Sequence, residues 1–352
     1  MTLEALLAAI PAADQTARAQ AEVRWDSIAK PLHALGLLED AVVRMAGITG
    51  TPDVTLGKKA VVVMCADNGV VEEGVTQTGQ EVTAIVAENM TTGDTSVCRM
   101  AAVAGAEVIP VDMGCCRPLN DKVLDRCVRR GGTRNMTREP AMTREECLQA
   151  ILAGAELVFG LKEKGYGLLA TGEMGIGNTT TSSAVVSVLL DRPVEEVTGR
   201  GAGLSSEGLE RKISAIRRAV ALNQPDPADP IDVLAKVGGL DLAGLVGVFL
   251  GSAACRIPVL VDGFISAAAA LLAVRLCPRA GYALLASHVS KEPAARMVLE
   301  ALGLRPFLQA EMCLGEGTGA VAVMPLLEMA LAVYRGMTTF EETNIEAYVP
   351  QD

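Results

Sequence analysis

Glu316 stands alone among glycines in Leu314-Gly315-Glu316-Gly317-Thr318-Gly319-Ala320. A carboxylate that such a loop takes out of water has a raised pKa and can serve as a general base near neutrality. The same string reads equally as a helix-capping loop with an exposed acid. A second loop, Thr171-Gly172-Glu173-Met174-Gly175-Ile176-Gly177-Asn178-Thr179-Thr180-Thr181-Ser182-Ser183, runs into a helix. Its three glycines leave backbone N–H groups uncovered, and its Thr/Ser run supplies a cap and hydroxyl donors. That is an anion site at a helix N-terminus, suited to phosphate or ribose. No Gly-Lys-Ser/Thr follows, so it is not a Walker loop, and the dinucleotide fingerprint G-x-G-x-x-G is absent. A third loop, Gly199-Arg200-Gly201-Ala202-Gly203-Leu204-Ser205, precedes a helix that carries Arg211 and Lys212. It repeats the logic of open N–H groups with a cation nearby. A fourth, Ala66-Asp67-Asn68-Gly69-Val70, presents a carboxylate and an amide at a sharp turn, or is a turn and nothing more.

Other chemistries lack support. There are nine cysteines, none in a CxxC pair, and two histidines, His33 and His288. Cys115 and Cys116 are adjacent, which suits neither a tetrahedral zinc site nor an easy disulfide. Reduced, mostly buried thiols in a cytoplasmic protein are the expectation. His288 reads as a hydrogen-bonded loop histidine rather than a metal ligand. The net charge is −11, and aromatics are 3% of the chain. A nucleic-acid binder needs a basic stripe and stacking rings, so that class is set aside. The most apolar region, Leu240–Leu276, is interrupted by Asp241, Arg256, Pro258 and Asp262. The pieces between are shorter than the roughly 20 residues a membrane span needs. No signal-type apolar stretch opens the chain.

These loops need elements to hold them. Short, nearly continuous apolar runs occur at Ala60–Cys65, Glu107–Val111, Tyr166–Ala170, Ile257–Val261 and Tyr282–Ala286. Strands of a parallel sheet covered on both faces read this way. Helical patterns alternate with them, at about Gln80–Met90, Ser96–Ala104, Thr143–Lys164, Thr179–Leu190, Glu207–Leu222, Ile265–Val274 and Pro293–Leu302. The alternation implies an α/β fold with a doubly wound parallel sheet, whose ligands sit at the carboxyl ends of the strands. The chain ends read as helices only: Leu3–Ala21, about Ala34–Ala46, and from Thr318 to about Tyr334. The arginine-rich stretch Asp121–Pro140 reads as a solvated loop or hairpin.

Taken in order, the segments resemble one family. They are Lys30-Pro31 with Leu35-Gly36-Leu37-Leu38-Glu39, Ala66–Val70, Gln80–Thr83, Asp112-Met113-Gly114, Ala141-Met142-Thr143, Gly172–Thr180, Gly199–Gly203, Val237-Gly238-Gly239, Arg256–Phe264 and Leu314–Ala320. The chain is similar to nicotinate-nucleotide–dimethylbenzimidazole phosphoribosyltransferases from about residue 26 to 340. The resemblance implies transfer of the 5-phosphoribosyl group of nicotinate mononucleotide to 5,6-dimethylbenzimidazole or a related base, with inversion. The products are an α-ribazole phosphate and nicotinate.

The resemblance also implies a Rossmann-like sheet of five or six strands in a large domain, 55–318. A small helical domain would come from 1–54 plus 319–352. A homodimer without metal or cofactor is implied, with no nucleic-acid or membrane partner. Carried onto this sequence, the catalytic residues are Glu316, the base, and Glu173. The phosphoribosyl group would lie on Gly175, Gly177, Asn178, Thr179, Gly201, Gly203 and Lys212. The flat base would lie against Thr76, Thr78, Gln80, Met174 and Leu314. Two positions depart from the family pattern. Many members have Gly-Ser where His33-Ala34 stand here, and many have Tyr-Pro where Thr78-Gly79 precede Gln80. The second change removes a ring beside the acceptor. Another acceptor, a different benzimidazole, a purine or a phenol, is therefore the runner-up. A silent nucleotide-binding protein on the same scaffold is a third reading.

Overall fold

A computed structural model describes residues 1–348. Six strands form one sheet: β1 (Lys58–Ala66), β2 (Glu107–Gly114), β3 (Leu124–Asp125), β4 (Tyr166–Met174), β5 (Val259–Val261) and β6 (Leu284–Ala286). Their order is β3-β2-β1-β4-β5-β6, and every neighbouring pair is parallel. The order reverses at β1, which pairs with β2 on one side and β4 on the other. The loops that follow β1 and β4 therefore leave the sheet side by side and wind to opposite faces, which opens a crevice between them. The register puts Met64 opposite Glu173 and Cys65 opposite both Met174 and Asp112.

Both faces of the sheet are covered, which is why β1 has no polar alternation. Ala60, Val62, Met64 and Ala66 enter a core shared with helices 144–163, 240–254 and 264–276. Val61, Val63 and Cys65 enter a second core with helices 15–27, 37–49, 81–90, 96–104 and 318–336. With so few rings, alanine, valine, leucine and methionine fill both.

The helical ends differ from the sequence expectation in one respect. The first helix stops at Ala9, and the next runs from Gln15 to Ser27. Pro11 disfavours helix at Ile10 and brings no N–H of its own. The restart is capped by Asp14, whose Oδ1 accepts from the Ala17 N–H at 2.9 Å. Leu6 and Ile10 join the first core, while the 15–27 helix pairs with Leu37–Thr49. The two chain ends meet: the rings of Trp25 and Tyr334 lie 5.0 Å apart, and Arg24 Nη2 donates to the Met337 carbonyl at 2.9 Å. Helix Thr318–Gly336 is long and apolar enough to cross a membrane by composition alone, but its most apolar window is half-buried and packs on β4 and helix 96–104.

The stretch 121–140 is not a free cationic surface. It contributes β3 at the sheet edge, and four of its five arginines lie within ion-pair distance of a carboxylate. Arg130 meets Asp112 at 2.6 Å, Arg134 meets Glu146 at 2.6 Å, and Arg138 meets Glu72 at 2.8 Å. Strands β5 and β6 are shorter than their apolar runs; β6 starts late because Pro278–Ala283 forms a 3-10 turn before it. All nine cysteines are free thiols.

Candidate functional site

A cleft of about 390 Å³ opens at the carboxyl ends of β4, β5 and β6. Three of the four loops singled out above contribute to its wall. Of the expected site residues, Glu316, Glu173, Gly175, Gly177, Asn178, Thr179, Gly201, Thr76, Thr78, Met174 and Leu314 line it. Three do not. Gly203 turns its carbonyl to the amide of Gln77, at 2.6 Å. Gln80 spends its amide on the Asn68 carbonyl at 3.1 Å, so it braces the loop after β1 instead of facing the base slot. Lys212 lies behind the wall.

That lysine joins the two glycine loops. Its Nζ donates to Thr179 Oγ1 at 2.8 Å and to the Gly199 carbonyl at 3.0 Å. The side chain is fully buried. No carboxylate lies within ion-pair distance among the described residues. Burial lowers its pKa to about 8, with Glu292 opposing. The helix that carries it, Ser206–Asn223, is started by Ser205, whose Oγ accepts from the Gly208 N–H at 3.1 Å. Across the gap, helix Asn178–Leu189 begins at Gly177, whose φ of +94° suits only a residue without Cβ. A helix N-terminus, a buried cation and the hydroxyl of Thr179 thus converge on one corner. Ser290 Oγ and Glu292 Oε2 are buried in the same wall without hydrogen-bond partners. Unpaired polar atoms at a cleft are where a ligand's own groups complete the pattern.

The opposite wall is acidic. Glu173 is buried at the end of β4, and Asn178 Nδ2 donates to its Oε2. Burial holds its carboxyl well above the usual range, and the neighbouring Asp241, Asp262 and Glu316 add to this against the Asn178 bond. Asp241, at the start of helix 240–254, is raised to about 6 by burial, and its Oδ1 accepts from the Leu242 N–H at 2.9 Å. Asp262, after β5, is likewise raised to about 6 by burial. Its two oxygens accept from the Gly317 N–H at 3.2 Å and the Ala320 N–H at 2.9 Å. Asp262 therefore caps helix 318–336 and pins the loop before it.

Glu316 is in that loop. Its φ is +60°, a left-handed conformation that is strained for a residue with a Cβ. The loop is held so close to β4 that any side chain at Gly172 would strike the Glu316 carbonyl. Its carboxylate is half-buried, and Oε2 accepts from the Val97 N–H at 3.2 Å. Burial raises its pKa, the Val97 bond opposes this, and Asp262 adds to it. Of the two readings the sequence left open, the structure has the acid lining the cleft.

The cleft also has an apolar part, to which Val86, Met174, Phe264, Ile265 and Leu314 contribute, and Thr76 and Thr78 line the same cleft. Phe264 is the one phenyl ring among the lining residues. His288, read from sequence as a loop histidine, also lines the cleft. Its Nδ1 lies 3.0 Å from Ser287 Oγ and 4.0 Å from Asp262 Oδ1, and burial lowers its pKa. Sequence reasoning did not assign Asp262, Ser290 or Glu292 to the site. The one available signal was position, since each follows an apolar run read as a strand. No group of His, Cys, Asp and Glu is arranged to hold a metal among the described residues.

Comparison with known proteins gives the family. A phosphoribosyltransferase family model matches residues 10–345. The nicotinate-nucleotide–dimethylbenzimidazole phosphoribosyltransferase of Acetivibrio thermocellus is 51% identical over 329 residues, which is 93% of each chain. The enzyme of the same name from Ruminiclostridium cellulolyticum is 47% identical over 351 residues, 99% of each chain. The crystal structure of CobT from Thermus thermophilus superposes with a TM-score of 0.90 at 43% identity. That match covers 95% of this chain and 100% of the other.

Proposed function

The chain belongs to the phosphoribosyltransferase family that includes these relatives, and from that premise we propose how its cleft carries out the reaction in their name. The protein transfers the 5-phosphoribosyl group of nicotinate mononucleotide to 5,6-dimethylbenzimidazole or a related base. The observation that carries this reading is the pairing of two features in one cleft: the anion corner at Thr179 and Lys212, and the half-buried carboxylate of Glu316.

The donor's phosphate is placed at the helix N-terminus formed by Gly175, Gly177, Asn178 and Thr179, with Gly201 and the Lys212 ammonium beside it. Its pyridinium nitrogen is already cationic. When the bond from C1′ to that nitrogen breaks, the electron pair neutralises the ring and nicotinate leaves without an acid catalyst. C1′ gains oxocarbenium character, and the carboxylate of Asp262 in the cleft wall favours that charge, while Glu173, whose carboxyl burial keeps toward the neutral form, offers a polar group beside it. The acceptor lies flat in the slot of Met174, Leu314, Thr76 and Thr78. Its nitrogen lone pair forms the new bond from the opposite face, and its N–H proton passes to Glu316. The raised pKa keeps Glu316 basic enough to take that proton.

The domain division at 55–318 and the homodimer belong to this proposal. Helices 96–104 and 318–336, which pack together, expose Val103 and Met329, and an apolar face of this kind suits a second copy. A second acceptor class is favoured by one observation: Thr78 and the adjoining Gly79 bring no ring to the slot mouth.

The test is to mix the protein with nicotinate mononucleotide and 5,6-dimethylbenzimidazole and to follow free nicotinate and ribazole phosphate. Loss of a general base costs about 10²–10⁴-fold, so Glu316→Gln should release nicotinate that much more slowly. Undiminished turnover in that variant would overturn the assignment of the base, because an amide cannot take the proton.

A further inference from the structure

Helix Ser96–Ala104 meets Glu316 at its first turn, which has a backbone N–H to spare. Thr95 is the cap, and its Oγ1 accepts from the Cys98 N–H at 3.4 Å. The Arg99 N–H bonds back to the Thr95 carbonyl at 3.2 Å. The Val97 N–H, at the second helical position, has no intrahelical acceptor, and it donates to Glu316 Oε2 at 3.2 Å. Val97 itself is fully buried, which fixes the position of this donor. Glu316 therefore completes the cap of a helix that is remote from it in sequence. On its other side, the Asp262 carboxylate holds the Gly317 N–H. The strained φ of Glu316 is kept by these two contacts, one through its side chain and one through the next peptide.

We propose that helix 96–104 is a positioning element for the base: the Val97 N–H holds one carboxylate oxygen of Glu316 and leaves the other to take the acceptor's proton. This rests on the reading of Glu316 as the base. It assigns a role to a helix that contributes no lining residue to the substrate cleft. Glu316 also lines a second, shallower opening together with Val86, Asn89, Asp94, Thr95, Ser96 and Arg99. The N-terminal residues of the helix thus border the base at this opening. Titratable and charged groups face Glu316 from every side: Asp262 after β5, Glu173 at the end of β4, His288 after β6, Cys313 on its own loop, and the Asp94–Arg99 pair beside the helix. Among these contacts, the Val97 N–H and the helix end favour the charged carboxylate.

The experiment deletes the donor alone. Val97→Pro removes one N–H in the first turn, where proline costs no intrahelical bond. Val97→Ala keeps the N–H and reports the loss of the side chain by itself. The readout is the pH profile of kcat/KM, with Tm measured in parallel. Because the N–H stabilises the ionised base, its loss should move the acid limb of Val97→Pro upward by about one pH unit. That is about tenfold in rate below the limb, the scale of one charge-assisted hydrogen bond. Val97→Ala should keep the wild-type limb. A purely structural helix would lower Tm in both variants and leave the limb in place, and that result would overturn the proposal. Should Val97→Pro not fold, Thr95→Ala frays the same turn and should move the limb in the same direction, and Thr95→Ser should restore it. An unmoved limb in Thr95→Ala would equally refute it. Glu316→Gln separates the two levels: a dead Glu316→Gln with an unmoved limb in Val97→Pro sinks this inference and leaves the base assignment standing.

Discussion

Lys212 should make donor binding depend on pH in the alkaline range. Burial moves its pKa from 10.5 down to about 8, so the empty protein holds this charge at a cost. At about 1.36 kcal/mol per pH unit, the cost is on the order of 3 kcal/mol at neutrality. An unfolded chain keeps the proton up to 10.5, whereas the folded one releases it near 8. This group's contribution to stability therefore rises as the pH climbs through that window. A donor phosphate favours the charged form. Above pH 8 a proton must be taken up with the donor, and its KM should rise about tenfold per pH unit. Lys212→Met removes both the charge and the pH dependence. It leaves the Gly199 carbonyl without a donor, which costs about 1–3 kcal/mol. The variant should then be as stable as wild type or more stable by up to about 2 kcal/mol, so its Tm should not fall. Its KM for nicotinate mononucleotide should increase about 10–150-fold, the worth of one charged hydrogen bond. Initial rates from pH 7 to 9.5, with thermal melts in the presence and absence of inorganic phosphate, make the measurement. A flat KM across that range in wild type would refute the argument. So would a phosphate-induced rise in Tm that is as large in Lys212→Met as in wild type.

Thr78 and Gly79 place no ring at the acceptor slot, and aromatic stacking is worth about 0.5–1.5 kcal/mol beyond area. Several benzimidazoles should therefore compete within about tenfold of one another in a mixed-acceptor assay, all depending on Glu316; a preference beyond about a hundredfold would contradict the open slot. Light scattering at micromolar concentration should give the mass of a dimer, and charged residues placed at both Val103 and Met329 should shift it toward the monomer. A monomer mass for the unmodified chain would rule the dimer out.

Much of this protein is legible in its residues alone. Strands β1, β2 and β4 appear as apolar runs because a strand covered on both faces has no polar side to show. The glycine loops are legible for a local reason: uncovered N–H groups at a helix start require small residues at fixed positions, and Gly175, Gly177 and Gly201 occupy them. The resemblance to a known family named the base. The long sequence distances in the site were not legible. Lys212 is read from the sequence as a cation beside the Gly199–Gly203 loop, but its complete burial and its bond to Thr179 on the other glycine loop come only from the fold. Asp262 reads as the end of an apolar run, and only tertiary structure makes it the cap of a helix that starts at Thr318. Gln80 illustrates the converse, since its residue type fits a base pocket while the fold turns its amide to Asn68. Pro11 carried the signal for a break that the reading of one helix over Leu3–Ala21 passed over, whereas β3 had no signal, because a two-residue edge strand exists only through its partner Val111-Asp112. Residue types and local backbone needs are properties of the chain. Burial, which decides the charge state of Lys212, Glu173 and Glu316, is a property of what packs against them, and only the folded molecule determines that.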